Sequence, residues 1–344
     1  MPFGADLLEN GGVRFRLWAP SCPRVSLEIF DDAGDMRSTV PMTALDGGWH
    51  EHVDPGARAG TRYRFGVREG VSVPDPASRA NPGDVHGPSE VIDPRTYQWQ
   101  HAGWRGRPWH TAVVYELHVG TFTPEGDLDA ARERLPQLAE LGITAVQLMP
   151  LAEFAGARGW GYDGVLPFAI EGAYGRPDAL KHFVDTAHGL GLMVLLDVVY
   201  NHFGPEGNHL SHWCPEFFNP VHSTPWGSAI NFDAPRSEVV RRFFVENALY
   251  WVEEYGLDGL RLDAVHAIRD DSAQHIVAEI AAALRDGPGQ HRAVHLVLEN
   301  DDNAASLLQR NAHGAPLAAT AQWNDDLHHA AHVLATRETV GYYA

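Results

Sequence analysis

Two oppositely charged side chains stand two residues apart in a mostly apolar stretch, "GLDGLRLDAVHAI" at residues 256–268. Arg261 and Asp263 share one face of a strand, because side chains alternate between the two faces. A buried carboxylate is costly without a partner, and a neighbouring guanidinium keeps it ionised at neutral pH. The pair predicts either a structural ion pair or a carboxylate held ready as a nucleophile.

A second acidic side chain, Glu299, ends the apolar stretch "VHLVL". An apolar wall raises the pKa of a carboxyl group, so we expect Glu299 to be protonated part of the time. One ionised carboxylate beside one partly protonated carboxyl group can cleave a glycosidic bond, with retention when the two lie about 5 to 5.5 Å apart. Neighbouring strands are about 4.8 Å apart, which makes retention the expected outcome.

Other polar side chains follow apolar stretches in the same way. Asp197, Asn201 and His202 close "VLLDVVYNH", and "RGWGYDG" places Trp160 and Tyr162 on a glycine-rich loop. Aromatic faces suit the C–H faces of sugar rings, although aromatic side chains fill protein cores more often. A histidine alone is more often a satisfied core or surface residue, and the neighbouring Asp197 and Asn201 favour a binding role for His202.

The elements that would position these residues begin near residue 112. From there, apolar stretches rich in β-branched residues alternate with amphipathic stretches, which predicts parallel β/α units with six strands. A doubly wound sheet would usually carry a glycine-rich phosphate turn after an early strand, and the sequence has none. We therefore expect an α/β barrel of the (β/α)₈ type, truncated after about six strands, with the chemistry at the carboxyl ends of the strands.

The preceding residues have a different pattern. Short alternating stretches such as "VRFRLWA" and "RVSLEIF", separated by turns rich in glycine and aspartate, predict an N-terminal β-sandwich domain. Proline-rich polar segments follow and predict a boundary. The expected division is a sandwich over 1–95, a linker over 96–111 and an incomplete barrel domain over 112–344.

Composition narrows the possible partners. The 344 residues carry 26 Lys and Arg against 45 Asp and Glu, a formal charge of -19, which disfavours nucleic acid and anionic membrane surfaces. The sequence shows neither a signal peptide nor a membrane-spanning stretch, so we expect a cytoplasmic protein. Cys22 and Cys214 lie far apart, which predicts buried thiols rather than a disulfide or a cysteine zinc site. No cofactor and no metal is predicted.

Three motifs together carry a family resemblance. "DVVYNH" (197–202), "GLRLDAVHA" (259–267) and "LVLEN" (296–300) resemble three of the four signature regions of the α-amylase family of retaining glycoside hydrolases and transglycosidases. The similarity runs from about residue 112 to the end of the sequence. The sandwich resembles the β-domain of glycogen branching and debranching enzymes and does not discriminate between them.

The resemblance implies roles for the residues identified above. Asp263 would be the nucleophile, Glu299 the general acid/base, and Arg261 the partner that keeps Asp263 ionised. The sugar ring next to the cleaved bond would be held by Asp197, His202 and Tyr162. No cofactor is needed for this chemistry, and the expected partner is an α-glucan.

Two further stretches, "VYELHVGTFTPEGDLDAA" and "WNDDLHHAAHVLATRETVGYY", are similar to a trehalose-releasing subgroup of that family. Its members cleave the α-1,4 bond next to the trehalose end of maltooligosyltrehalose. We expect His266 to hydrogen-bond the trehalose unit, together with a loop containing Asp325, Asp326 and His328. The alternative is a purely structural role, in which His266 only caps the following helix.

Three other functions stay open. A glycogen branching enzyme is the nearest rival, followed by a glucan-binding fragment without turnover and by a non-hydrolytic scaffold like the amylase-like subunits of membrane transporters. The fourth signature region, a histidine-aspartate pair, has no counterpart in the sequence. We expect the third catalytic carboxylate to lie beyond residue 344, and the 344 residues alone to have little or no hydrolytic activity.

Overall fold

The N-terminal part of the chain forms two antiparallel sheets. The structure is a computed structural model that describes residues 1–31 and 33–343. Its first nine strands are β1 (Gly4–Leu7), β2 (Val13–Trp18), β3 (Ser26–Phe30), β4 (Met36–Pro41), β5 (Thr43–Ala44), β6 (Trp49–Asp54), β7 (Arg62–Arg68), β8 (Val71–Val73) and β9 (Ser89–Glu90). One sheet has the order β1-β2-β6-β5 and the other β4-β3-β7-β8, with β9 paired to β7.

The two sheets pack as a sandwich, as the alternating pattern predicts. Val13, Phe15 and Leu17 on β2 are buried and alternate with half-buried arginines. On β7, Tyr63 and Phe65 are buried in the same way. The rings of Phe15 and Tyr63 join the two sheets with their centroids 4.8 Å apart.

The second part of the chain is built on a parallel sheet. Its strands are β10 (Val114–Leu117), β11 (Ala145–Leu148), β12 (Ala152–Glu153), β13 (Leu166–Ile170), β14 (Met193–Val198), β15 (Phe218–Thr224), β16 (Gly227–Ile230), β17 (Gly259–Leu262), β18 (His295–Glu299) and β19 (Ala321–Trp323). Six of them form one parallel sheet in the order β10-β11-β14-β17-β18-β19. The predicted number of strands is confirmed, and the strand order fits a (β/α)-type barrel. Truncation of that barrel stays a prediction.

Helices accompany the strands of this sheet along the chain. They are α1 (Val119–Phe122), α2 (Leu128–Glu133), α3 (Leu135–Glu140), α4 (Pro177–Gly189), α5 (Leu210–Trp213), α6 (Ser237–Glu254), α7 (Ile276–Asp286) and α8 (Asp325–Thr336). The longest of them, α6, buries Phe243, Phe244 and Trp251. None of the helices in the described part of the chain is long and apolar enough to cross a membrane.

Two antiparallel hairpins project from the parallel sheet, and the sequence patterns did not predict them. β12 pairs with β13 in the connection between β11 and β14. β15 pairs with β16 in the connection between β14 and α6. Both hairpins follow carboxyl ends of parallel strands, the edge at which the charged side chains lie.

The segment predicted as a linker is docked against the barrel. The carboxylate of Asp185 on α4 accepts hydrogen bonds from the backbone N–H groups of Gln100 (2.8 Å) and His101 (2.9 Å) and from the Tyr97 hydroxyl (3.0 Å). Further along, the Trp104 ring stacks on His188 with centroids 4.8 Å apart. Buried polar contacts therefore hold this segment against α4. The boundaries at 95 and 111 stay a prediction.

Asp185 generates a prediction about acid stability. Burial alone raises the pKa of Asp185, but the hydrogen bonds outweigh it and lower the pKa below its ordinary value. We expect Asp185→Asn to lower the free energy of unfolding by about 1 to 3 kcal/mol at neutral pH. The reason is that the NH₂ group of asparagine is a donor and would face N–H groups that are donors themselves. The difference from the parent protein should shrink as pH falls below about 4, where the parent carboxylate takes up its proton.

Urea denaturation at neutral and acidic pH measures this difference. The control is Asp178→Asn, which lies exposed on the same helix and should change the free energy of unfolding by well under about 1 kcal/mol. An equal loss of unfolding free energy at all pH values would contradict the assigned role of Asp185.

Candidate active site

Arg261 lies at the centre of a cluster of carboxyl groups. Its Nη1 lies 2.7 Å from Asp197 Oδ2 and 2.9 Å from Asp263 Oδ1, and its Nη2 lies 2.9 Å from Glu299 Oε2. The side chain of Arg261 is only 9% exposed, and that of Asp197 is fully buried. The predicted contact between Arg261 and Asp263 is therefore present, and one guanidinium serves three acids.

The parallel register explains why these side chains meet. Asp197 on β14 pairs directly with Arg261 on β17, and Leu262 on β17 pairs with Leu298, the residue before Glu299. All four residues of β17 are buried, so the strand places Arg261 without exposing it. Asp263 is the first residue after that strand, and its N–H donates to the Val198 carbonyl oxygen (3.0 Å).

A left-handed residue turns the chain just after Asp263. Ala264 has φ of 42° and ψ of 53°, a conformation that costs an L-residue roughly 1 kcal/mol or more. The turn directs the Ala264 N–H at Glu299 Oε2, 2.9 Å away. A short strained turn therefore holds the acid of the neighbouring strand against the end of β17.

Burial controls protonation in this cluster. It raises the pKa of Asp197 to about 7 even beside Arg261, and it also raises the pKa of Glu299. Burial lowers the pKa of Arg261, but the three carboxyl groups outweigh that effect and raise it, so the guanidinium stays charged. One positive charge cannot balance three negative charges, so a proton shared among the three carboxyl groups is favoured. Glu299 is the most exposed of the three acids.

Three neighbouring polar residues hold the acids in place. The Tyr162 hydroxyl donates to Asp197 Oδ2 (2.9 Å), and Asn201 Nδ2 donates to Asp263 Oδ2 (3.0 Å) and to its carbonyl oxygen (2.9 Å). His202 contacts Asn201 Oδ1 with one ring nitrogen, and its Nε2 lies 3.0 Å from the Tyr162 carbonyl oxygen. Burial lowers the pKa of His202, while the two acceptor oxygens that face its ring nitrogens act in the opposite sense.

Two exposed tryptophans border the cluster. Trp160, which the sequence predicts as a sugar-binding side chain, is 74% exposed on the loop before Tyr162. Trp226, at the turn of the β15–β16 hairpin, stacks on His202 with ring centroids 5.1 Å apart and planes 21° apart, and is 51% exposed. Sequence reasoning missed Trp226, whose one signal is a tryptophan beside glycine in the polar stretch "HSTPWGS".

His266 lies in a single helical turn, Val265–Ala267, and faces Asp301. The Asp301 N–H donates to His266 Nδ1 (3.3 Å), and His266 Nε2 lies 3.4 Å from Asp301 Oδ2. A hydrogen bond with the Asp325 side chain raises the pKa of Asp301. Asp301, which sequence reasoning missed, therefore connects His266 to Asp325.

The expectation of a loop around Asp325, Asp326 and His328 is wrong. These residues form the first turn of α8, which Asn324 caps by accepting the Leu327 N–H (2.7 Å). Aspartates are favoured in a first turn because they complement the helix dipole. His328 is exposed, with its ring 5.3 Å from that of His329. The structure thus brings Asp325 to the His266 cluster through Asp301, while His328 points elsewhere.

Comparison with protein families agrees with this architecture. The model of the alpha amylase catalytic domain matches residues 81–214, and the model of carbohydrate-binding module 48, the isoamylase N-terminal domain, matches residues 2–82. Residues 81–214 are thus similar to an α-amylase catalytic domain. The span matched to this domain includes Tyr162, Asp197 and His202 and ends before Asp263.

Similar proteins extend over nearly the whole chain. A malto-oligosyltrehalose trehalohydrolase of Arthrobacter ramosus is 46% identical over 96% of this chain and 57% of its own length. A crystal structure of an alpha amylase from Salmonella typhimurium superposes with a TM-score of 0.93 at 49% identity, covering 99% of this chain and 57% of that one. A 1,4-alpha-glucan branching enzyme of Vibrio cholerae is 37% identical over 74% of this chain and 37% of its own length. The chain spans slightly more than half the length of the first two.

The carboxyl cluster around Arg261 leads to a prediction about the pKa of Glu299. Asp263 raises the pKa of Glu299 through its negative charge and a hydrogen bond. We expect Asp263→Asn to lower the pKa of Glu299, because a neutral amide replaces a neighbouring anion. Carbon-13 NMR titration of the glutamate side chains measures the change, and Asp286→Asn, a distant exposed site, is the control. An unchanged or higher Glu299 pKa would rule out the electrostatic coupling.

Proposed function

We propose that the chain forms the catalytic part of a retaining α-glucan hydrolase that releases trehalose from maltooligosyltrehalose. The observation that carries this proposal is the arrangement of Asp263 and Glu299 on adjacent strand ends around Arg261. Burial and the neighbouring Asp263 both raise the pKa of Glu299. Contact of both acids with one guanidinium supports the short separation of a retaining mechanism rather than the roughly 6.5 to 9.5 Å that leaves room for water in an inverting one.

In the first step, Asp263 attacks the anomeric carbon of the glucose unit at the cleaved bond. The new bond forms from a carboxylate lone pair as the glycosidic oxygen departs, and that oxygen takes the proton of Glu299. Burial supports this division of roles, because it favours the protonated form of Glu299. Arg261 and Asn201 orient the Asp263 carboxylate through one oxygen each.

In the second step, the roles of Glu299 reverse. Its carboxylate takes a proton from water, the water oxygen bonds to the anomeric carbon, and Asp263 departs as a carboxylate. Two inversions give net retention. Asp197 and His202 are proposed to hold the reacting sugar, with Tyr162, Trp160 and the exposed face of Trp226 as aromatic contacts.

Substitution of the two acids tests these roles separately. We expect Asp263→Asn and Glu299→Gln each to lower hydrolysis of maltooligosyltrehalose by about a thousandfold or more in the whole protein. With an α-maltosyl fluoride, whose leaving group needs no proton, Glu299→Gln should still release fluoride and Asp263→Asn should not. Asp286→Asn is the control, and fluoride release by Asp263→Asn would exclude it as the nucleophile.

The residues around His266 are proposed to recognise the trehalose that leaves. His266 follows the nucleophile by three residues, beyond the strand end, and Asp301 connects it to Asp325 at the start of α8. A charged Asp301 beside the imidazole fixes the ring and offers acceptors to sugar hydroxyl groups. This cluster supplies polar groups on the side of the leaving group, which a hydrolase specific for a trehalose end requires.

His266→Ala tests this specificity. We expect kcat/KM to fall more for maltooligosyltrehalose than for plain maltooligosaccharide, by about 1 to 3 kcal/mol, because a hydrogen bond to the trehalose unit is lost. Asp301→Asn should act in the same direction, and His313→Ala, on an exposed loop, should change neither substrate. An equal loss of kcat/KM for both substrates would mean that His266 has only a structural role.

The rival functions predict other products. A branching enzyme would convert α-glucan to newly branched glucan without free trehalose, and a binding module would hold the glucan unchanged. Chromatographic analysis of the products from maltooligosyltrehalose distinguishes all three. The trehalohydrolase is favoured because its relative is more similar and covers more of this chain than the branching enzyme. The proposed partner is thus an α-glucan, and a cytoplasmic location stays a prediction.

A further inference from the structure

A second group of possible ligand atoms lies away from the carboxyl cluster, at the base of the β15–β16 hairpin. His222 comes from β15, Asp233 from the segment after β16, and Asp271 from the segment that follows β17. One nitrogen or oxygen atom of each residue lies within 4.8 Å of those of the other two. Three separate segments of the chain therefore converge on one point.

The spacing of these atoms is longer than that of a direct charge-assisted hydrogen bond. His222 Nε2 lies 3.5 Å from Asp233 Oδ2 and 3.4 Å from Asp271 Oδ2. Hydrogen bonds between charged groups are usually about 2.7 to 2.9 Å long. Ligand atoms around a tetrahedral zinc ion, each about 2.1 Å from the metal, lie about 3.4 Å from one another. The two separations from His222 fit ligands around one ion, and Asp233 Oδ2 also accepts the Asp271 N–H (2.8 Å), which holds the two aspartates side by side.

A buried amide orients two of the three residues. Asn219 is 6% exposed, its Nδ2 donates to Asp233 Oδ1 (2.6 Å), and its Oδ1 accepts the His222 backbone N–H (2.9 Å). Hydrogen bonds from a neighbouring residue, such as those of Asn219, typically fix the orientation of metal-binding side chains. Asp271 is 86% exposed on the third side, which leaves space for water to complete the coordination.

We propose that His222, Asp233 and Asp271 bind a divalent first-row transition metal, with Zn²⁺ as the best match. One imidazole and two carboxylates suit this class of ion better than they suit Ca²⁺, which takes six to eight oxygen ligands. The ion connects the base of the hairpin to the segment after β17. Because the same hairpin carries Trp226 against His202, bound metal also fixes the border of the active site.

Isothermal titration of the metal-free protein with Zn²⁺ tests this site. The expected result is one ion per chain, with affinity reduced at least tenfold in His222→Gln and in Asp271→Asn. Asp271 is an exposed side chain, so its variant keeps the fold, and thermal unfolding confirms this. His313→Gln and Asp286→Asn are matched controls at exposed positions and should bind as the parent does.

Two further measurements require no catalysis. Co²⁺ should give the visible absorption of a tetrahedral ion in the parent and lose it in Asp271→Asn, and Zn²⁺ should raise the thermal midpoint of the parent but not that of Asp271→Asn. Zn²⁺ binding that is unchanged in both His222→Gln and Asp271→Asn would overturn the proposal. So would the absence of stoichiometric binding by the parent, which would reduce the cluster to an ion pair.

Discussion

The sharing of one guanidinium by three carboxyl groups is the constraint on which the rest of the site depends. Arg261 can reach Asp197, Asp263 and Glu299 only because three parallel strands, β14, β17 and β18, lie side by side in register. Each strand delivers its acid to the same edge. A shift of one residue in any strand would turn its polar side chain to the opposite face, so the sheet register and the chemistry are fixed together.

This dependence explains what the sequence could predict. Side chains within or just after strands, such as Arg261, Asp263 and Glu299, follow from strand periodicity and the rule that parallel strands end together. The His266–Asp301–Asp325 connection and the stacking of Trp226 on His202 do not follow, because loops of different lengths bring those residues together. The same limit explains why Asp325 was assigned to a loop, when Asn324 begins a helix there.

The supporting parts of the fold are joined by buried polar contacts as well as by apolar packing. Asp258 is fully buried at the opposite, amino-terminal end of β17, where it accepts hydrogen bonds from Trp104, His188 and the Val194 N–H (2.6, 2.9 and 2.9 Å). Trp104 belongs to the segment between the sandwich and the barrel. That segment therefore contacts the residue that precedes the strand carrying Arg261. Amino-acid composition alone cannot distinguish such a docked segment from a flexible linker.

The active-site acids oppose stability at neutral pH. The pKa of Asp197 is raised to about 7 in the folded protein, against an ordinary value near 4 in an unfolded chain. Between these values the folded state holds a proton that the unfolded state has lost, so this group contributes less stability as pH rises from about 4 to 7. Asp185, with its lowered pKa, acts in the opposite sense at lower pH. The docked segment and the packed helices must outweigh the cost of desolvating three acids around one arginine, and the same desolvation raises the pKa of Glu299.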